Sequence, residues 1–178
     1  MTNLGVTAFT DSTTSDMRLI LSRMGTGKKS LHVLVVDDDP TMLALVRRAA
    51  LQMRMDVWMA SSLDEAQQMV LEGKLPDLVI TDLMLGDGTG VELVKFLRQA
   101  HLPAPTVLVT GSPEELSSTD RALFIDVINK PFRLSALFDA LDVARHNVRP
   151  RHRSDVHRKA RESAITIGME KASGEDER

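Results

Sequence analysis

Five aliphatic runs of strand length recur between residues 31 and 128, and they constrain the fold more than any other feature of the chain. The runs are LHVLVV (31–36), DVWMAS (56–61), DLVIT (77–81), TVLVT (106–110) and LFIDVI (123–128). Near-continuous apolar runs of this length are typical of strands that are buried on both faces, as they are in parallel sheets. We therefore expect a five-stranded sheet that is covered from both sides.

Helical periodicity fills the segments between these runs. Apolar residues recur at intervals of three and four within residues 42–50, 66–70, 91–97 and 134–141. Asp39 and Ser62 stand where side chains that cap helix N-termini belong. The segment 111–122 leaves room for a fourth helix of only a turn or two. Strands alternating with helices predict an α/β fold with a doubly wound parallel sheet and helices on both faces.

Polar residues that suit phosphate chemistry follow four of the predicted strands. They are Asp37 and Asp38 after the first strand, Asp82 after the third, Thr110 at the end of the fourth and Lys130 after the fifth. Ligands of such sheets bind at the carboxyl ends of the strands, so we expect these side chains to share one cleft. Clustered carboxylates are tolerated when a hard cation such as Mg²⁺ binds them, and a lysine and a hydroxyl can hold phosphate oxygens. The pattern therefore predicts phosphoryl transfer onto an aspartate.

Four segments in this order resemble the receiver domain of two-component response regulators: VLVVDD (33–38), DLVITDLMLGDGTG (77–90), VLVTG (107–111) and NKPF (129–132). The resemblance covers residues 31–147 and implies a flavodoxin-like receiver fold. It also implies a stand-alone, phosphorylation-dependent switch of bacterial phosphorelay signalling, with a histidine kinase or phosphotransfer protein as phosphoryl donor. Such a protein is not an enzyme, beyond catalysing its own phosphorylation and dephosphorylation.

The resemblance assigns a role to each residue of the predicted cleft. Asp82 would be the phospho-acceptor and would bind Mg²⁺ together with Asp37, Asp38 and the backbone carbonyl of Met84. Thr110 and Lys130 would bind the phosphoryl group and switch the domain, which would then act on a downstream protein through the face formed by its last two helices and last strand.

Three features depart from the commonest pattern of the family. Val127 stands where many receivers carry an aromatic ring that rotates inward on activation, so that form of switching cannot operate here. The segment 111–122 is short for a full fourth helix, and Gly86 stands where proline is common after the third strand. None of these changes removes a residue of the phosphorylation site, so the departures affect the mode of output and leave the transfer chemistry intact.

Two other functions stay open at this stage. The sequence DDDPT also fits a haloacid-dehalogenase-type phosphatase, with Asp37 as nucleophile and Asp39 as general acid and base. That family needs a further acidic motif after the lysine, which residues 132–144 do not clearly supply, and the assignment leaves Asp82 unexplained. The third alternative is a pseudo-receiver that binds partners without being phosphorylated.

The distribution of charge divides the chain into three parts. Residues 31–147 carry 10 basic and 17 acidic side chains, a net charge of −7, whereas residues 1–30 and 148–178 each carry +2. We expect a flexible extension over 1–30, and a basic, then acidic tail over 148–178 with room for a helix. The tail is either a solvated extension or a docking element for an acidic partner, a membrane surface or nucleic acid. It is too short for a winged-helix output domain, so sequence-specific DNA binding is not expected, and homodimer formation is left open.

Composition excludes several classes of site and of location. The chain has no Cys, which excludes disulfides, thiolate-bound metals and thiol nucleophiles. Aromatic residues make up 3% of the chain, which argues against stacking surfaces for single-stranded nucleic acid. No apolar run approaches the roughly 20 residues that span a bilayer, and the first residues lack the pattern of a signal peptide. The sequence therefore favours a cytoplasmic protein.

Overall fold

The computed structural model describes residues 30–148. The predictions for the N-terminal extension and for the basic tail from residue 149 onward lie outside the described residues. Within the described part of the chain, no helix is both long and apolar enough to cross a bilayer.

A single five-stranded parallel sheet forms the centre of the fold. Its strands are β1 (His32–Val36), β2 (Asp56–Ala60), β3 (Leu78–Thr81), β4 (Thr106–Thr110) and β5 (Asp126–Asn129). They lie in the order β2-β1-β3-β4-β5, and all neighbours are parallel. Because Val36 pairs with Thr81 and Thr110 pairs with Asn129, the strands end together at one edge of the sheet. The doubly wound α/β prediction is confirmed.

Within the described residues, four helices connect successive strands and a fifth follows the last strand. They are α1 (Pro40–Gln52), α2 (Leu63–Leu71), α3 (Gly90–Gln99), α4 (Ser118–Arg121) and, after β5, α5 (Leu134–Asn147). The predicted caps are present, because Asp39 accepts a hydrogen bond from the Thr41 N–H and Ser62 accepts one from the Glu65 N–H. The fourth helix is as short as predicted, with four residues after a 3₁₀ turn at Pro113–Glu115.

The helices bury both faces of the sheet in separate apolar layers. Val33 and Val35 of β1 face the layer formed by α1 and α5. Leu34 and Val36 face the opposite layer, formed by α2 and α3. Since alternate side chains of one strand enter both layers, the strand has no polar face, and this explains the continuous aliphatic runs of the sequence.

Two details differ from the sequence-based expectation. The fifth strand begins at Asp126, three residues later than the apolar run LFIDVI, because Phe124 is buried in a third apolar cluster before the strand starts. A two-stranded antiparallel hairpin, Met84–Leu85 with Gly88–Thr89, follows β3 and was not predicted. This hairpin lies beside the carboxyl edge of the sheet.

Candidate functional site

Three carboxylates meet at the carboxyl edge of the sheet. Asp37 and Asp38 directly follow β1, and Asp82 directly follows β3, so the pairing of these strands brings them together. Each offers an oxygen, and these oxygens all lie within 4.8 Å of one another. Asp37 is buried, Asp82 is partly buried and Asp38 is exposed. Solvent therefore reaches the cluster at Asp38, whereas Asp37 is shielded from it.

Lys130, which follows the last strand of the sheet, joins this cluster. Its Nζ donates hydrogen bonds to Asp37 Oδ2 at 2.9 Å and to Asp82 Oδ2 at 2.6 Å. Lys130 lies just beyond the end of β5, where its backbone N–H donates to the Thr110 carbonyl at 2.7 Å. The Lys130–Pro131 peptide bond is cis. The structure thus brings together four of the predicted site residues by direct contact or close approach.

The pKa shifts show how charge is balanced in this cluster. Burial raises the pKa of Asp37, although hydrogen bonds from Lys130 and from the Asp39 N–H act in the opposite direction. Burial alone would lower the pKa of Lys130, but hydrogen bonds to Asp82 and Asp37 outweigh it and the pKa is raised. One ammonium group thus faces three carboxylates. An ionised cluster has a net charge of −2, and all of its donor atoms are oxygens, which is the ligand chemistry that Mg²⁺ requires.

The segment after Asp82 folds tightly around that residue. The Asp82 N–H donates to the Val36 carbonyl at 2.9 Å, and Asp82 Oδ1 accepts from the Leu83 N–H at 2.6 Å. The chain then forms the hairpin that contains Met84 and returns, so that the Gly90 N–H donates to the Leu83 carbonyl at 2.9 Å. The Asp82 side chain is consequently fixed by a backbone donor on one oxygen and by Lys130 on the other.

Two predicted switch positions line the neighbouring strands. Thr110 is buried at the end of β4, and its Oγ1 accepts a hydrogen bond from the Ser112 N–H at 3.0 Å. Val127 is half-buried in β5 and packs against the apolar cluster that contains Leu83 and Phe124. Thr110 thus lies on the strand between those that precede Asp82 and Lys130.

Asp39 is not part of the carboxylate cluster. Its side chain caps α1 and accepts from the Thr41 N–H at 2.8 Å, as the sequence predicted. Asp39 uses one oxygen for this contact and lies outside the cluster that Asp37, Asp38 and Asp82 form. The phosphatase alternative, in which Asp39 is the general acid and base, also gives no role to the contact of Asp82 with Lys130, and the geometry therefore disfavours it.

Sequence reasoning missed the contacts of Asp87. This residue lies in the two-residue loop of the hairpin, and its carboxylate accepts from the backbone N–H groups of Leu63 and Asp64. A signal was available, because a Gly-Asp pair between short segments is one of the patterns that indicate a hairpin. The contact with α2 itself has no counterpart in the sequence.

Comparison with known proteins agrees with this geometry. Residues 33–142 match the family model described as the response regulator receiver domain. The chain is 30% identical over 113 residues to the response regulator protein PilR of Pseudomonas aeruginosa, a match that covers 62% of this chain and 25% of PilR. It is 36% identical over 118 residues to the KDP operon transcriptional regulatory protein KdpE of Escherichia coli, covering 64% of this chain and 50% of KdpE. The chain thus spans between a quarter and a half of these two relatives.

Solved structures show the same fold. The receiver domain of the PhyR response regulator of Erythrobacter litoralis superposes with a TM-score of 0.61 at 26% identity, over 68% of this chain and 95% of that one. The non-phosphorylated receiver domain of HemR from Leptospira biflexa gives a TM-score of 0.60 at 24% identity, over 69% of this chain and all of that one. The chain therefore belongs to the response regulator receiver domain family, whose members act in phosphorylation-dependent two-component signalling.

Proposed function

We propose that the protein accepts a phosphoryl group on Asp82, from a histidine kinase or a phosphotransfer protein, in a reaction that requires Mg²⁺. The observation that carries this proposal is the placement of the Asp82 carboxylate, which contacts Lys130 at 2.6 Å and has carboxylate oxygens of Asp37 and Asp38 within 4.8 Å. This arrangement combines a nucleophile, a lysine and the ligands of a divalent cation at one solvent-accessible edge of the sheet.

Asp82 supplies the nucleophilic oxygen in the proposed reaction. Its carboxylate attacks the donor phosphorus, the bond between phosphorus and the donor breaks, and an acyl phosphate forms on Asp82. The oxygens that would hold Mg²⁺ are those of Asp37, Asp38, Asp82 and the Met84 carbonyl, and the chemistry that the bound cation would supply is neutralisation of charge on the transferring phosphoryl group. Lys130 moves from its contact with the carboxylate to a phosphoryl oxygen, and the Thr110 hydroxyl donates to another.

The phosphorylated domain acts on a downstream protein through direct contacts. Val127 has no ring to rotate, so the switch depends on Thr110, Lys130 and the segment around the short α4.

We propose residues 31–147 as the receiver unit, with 1–30 and 148–178 as extensions, the latter available to an acidic partner. Such a switch would act in the cytoplasm, as response regulators generally do, and its state of association is left open.

Labelling by a small phosphodonor tests the proposed chemistry directly. Incubation with acetyl phosphate and Mg²⁺ should produce a retarded band on a phosphate-affinity gel, and the band should disappear when EDTA removes the cation. The reason is that three carboxylates without a bound cation repel the incoming phosphoryl group. A wild-type protein that never labels, even with its kinase, would contradict the proposal and favour the pseudo-receiver alternative.

Replacing Lys130 by Met should destabilise the protein mainly when no divalent cation is present. The substitution leaves the largely buried carboxylates of Asp37 and Asp82 without their common partner, which should cost about 3 kcal/mol of the free energy of unfolding in EDTA. Saturating Mg²⁺ should restore a large part of this loss, because the cation neutralises the same oxygens. Urea unfolding in EDTA and in Mg²⁺ measures both effects.

Lys95 provides a matched control for that experiment. It pairs with Asp120 at 3.1 Å, but its side chain is 55% exposed. Solvent screens such a pair, so Lys95→Met should change the free energy of unfolding by no more than about 0.5 kcal/mol and should show no dependence on Mg²⁺. Equal losses for the two variants, both insensitive to Mg²⁺, would show that Lys130 has no special relation to the cluster.

A further inference from the structure

Asp87 connects the hairpin after Asp82 to the start of helix α2. Its Oδ1 accepts from the Leu63 N–H at 2.8 Å and its Oδ2 accepts from the Asp64 N–H at 2.9 Å. These are the first two residues of α2, whose backbone donors have no partner within the helix and attract negative charge. The hydrogen bond from Asp64 is the main reason that the pKa of Asp87 is lowered. The carboxylate is therefore ionised near neutral pH and bound at both oxygens.

The segment that Asp87 holds has little rigidity of its own. Glycine occupies three of the five positions from 86 to 90, and glycine restricts the backbone less than any other residue. Gly86 also stands where the family commonly has proline, which would have fixed one backbone angle. Leu85 of the hairpin is buried in the apolar layer of α2 and α3, and Gly88 lies against the Leu63 side chain. The Asp87 carboxylate adds to this packing the two hydrogen bonds that fix the turn to the N-terminus of α2.

The turn lies directly beside the proposed Mg²⁺ ligands. A side chain at Gly86 would place its first carbon 3.9 Å from Asp38 Oδ2. Met84 begins the same hairpin, two residues after Asp82. A shift of the turn by an ångström or two would therefore displace the Met84 carbonyl with respect to the carboxylates of Asp38 and Asp82.

We propose that Asp87 is a positioning residue of the phosphorylation site: by fastening the hairpin to the N-terminus of α2, it holds the Met84 carbonyl where the cation can use it. This inference rests on the proposed function, because it takes the Met84 carbonyl as a ligand. Asp87 itself touches neither the cation nor the phosphoryl group. Its effect is on the geometry of a ligand, as for residues that orient metal ligands in other proteins.

Calorimetric titration of the full chain with Mg²⁺ tests this role without requiring phosphorylation. We expect Asp87→Ala to raise the Kd for Mg²⁺ roughly tenfold, as loss of an outer contact to a metal ligand typically does. Asp87→Asn keeps one carbonyl acceptor and should raise the Kd by less than Asp87→Ala does. Asp64→Asn is the charge control, because it removes a negative charge at the same helix end and leaves the backbone donor in place. Its Kd should stay close to that of the wild type.

The outcomes separate this role from simpler ones. A wild-type Kd for Asp87→Ala, with only the free energy of unfolding reduced, would overturn the proposal in favour of a merely structural contact. Equal effects of Asp87→Ala and Asp64→Asn would overturn it in favour of a general charge effect. If the wild type binds Mg²⁺ and fails to label, the proposed phosphorylation is wrong, but the titration still decides the role of Asp87. If the wild type does not bind Mg²⁺, both proposals are overturned.

Discussion

Replacing Asp82 by Asn should reduce labelling by acetyl phosphate to background. The amide is nearly the same size as the carboxylate, and its oxygen can still accept from the Leu83 N–H or from Lys130. The fold and the neighbouring contacts are therefore expected to persist, whereas the amide oxygen is a far weaker nucleophile and cannot form a stable acyl phosphate. The measurement is a phosphate-affinity gel of wild type and variant, after circular dichroism has shown that both are folded.

Asp37→Asn and Asp56→Asn complete the comparison. Asp37→Asn removes one charge from the cluster and should slow labelling strongly without abolishing the site, because Asp82 remains. Asp56 lies at the opposite end of the sheet with its side chain largely exposed, so Asp56→Asn should label like the wild type. Normal labelling of Asp82→Asn, together with loss of labelling in Asp37→Asn, would identify Asp37 as the nucleophile and restore the phosphatase alternative.

Replacing Gly90 by Ala should disrupt the structure at the base of the site. An added methyl group would overlap the Asp82 carbonyl oxygen, and it would approach Thr81 Cγ2 to 2.8 Å. The overlapping oxygen belongs to the backbone, so relief requires a shift of α3 or of the chain at Asp82. We expect a loss of about 3 kcal/mol in the free energy of unfolding, at the upper end for overpacking of a core. Urea unfolding followed by Trp58 fluorescence measures it.

Gly111→Ala is the matched control for Gly90→Ala. Gly111 follows β4, and apart from its neighbours in the chain no atom lies within 4 Å of the position that a methyl group would occupy. The same substitution there should change the free energy of unfolding by no more than about 0.5 kcal/mol. If Gly90→Ala is as stable as Gly111→Ala, the backbone of α3 is not packed closely against the Asp82 carbonyl.

The sequence predicted the layers of the fold because a strand that is buried on both faces must be apolar at every position. Val33, Leu34, Val35 and Val36 are all buried, two in each apolar layer, so the whole run had to be aliphatic. The same reasoning placed the start of the fifth strand three residues too early. Phe124 is buried before the strand begins, and an apolar residue looks alike in a sequence whether it lies in a strand or in the loop before it.

The sequence predicted which residues form the site, but it did not predict how they contact one another. Parallel strands end at one edge, so the positions of Asp37, Asp82 and Lys130 after their strands sufficed to place them in one cleft. The contact of Lys130 with both carboxylates depends on the direction of its side chain, which strand order does not determine. The contact of Asp87 with α2 depends on the orientation of the hairpin relative to that helix, and no local sequence pattern determines this orientation.

The brevity of α4 affects how much free energy the switch requires. A helix of four residues satisfies few of its own backbone groups, and its Asp120 pairs with Lys95 of α3 at the solvent-exposed surface. Local unfolding of such a segment costs little, so amide hydrogen exchange there should be fast relative to the central strands. A nearly complete reversal of a two-state population requires that the binding free energies to the two states differ by about 5.5 kcal/mol. A segment whose two states are close in free energy can be shifted substantially by far less, such as one hydrogen bond made only to the phosphorylated form.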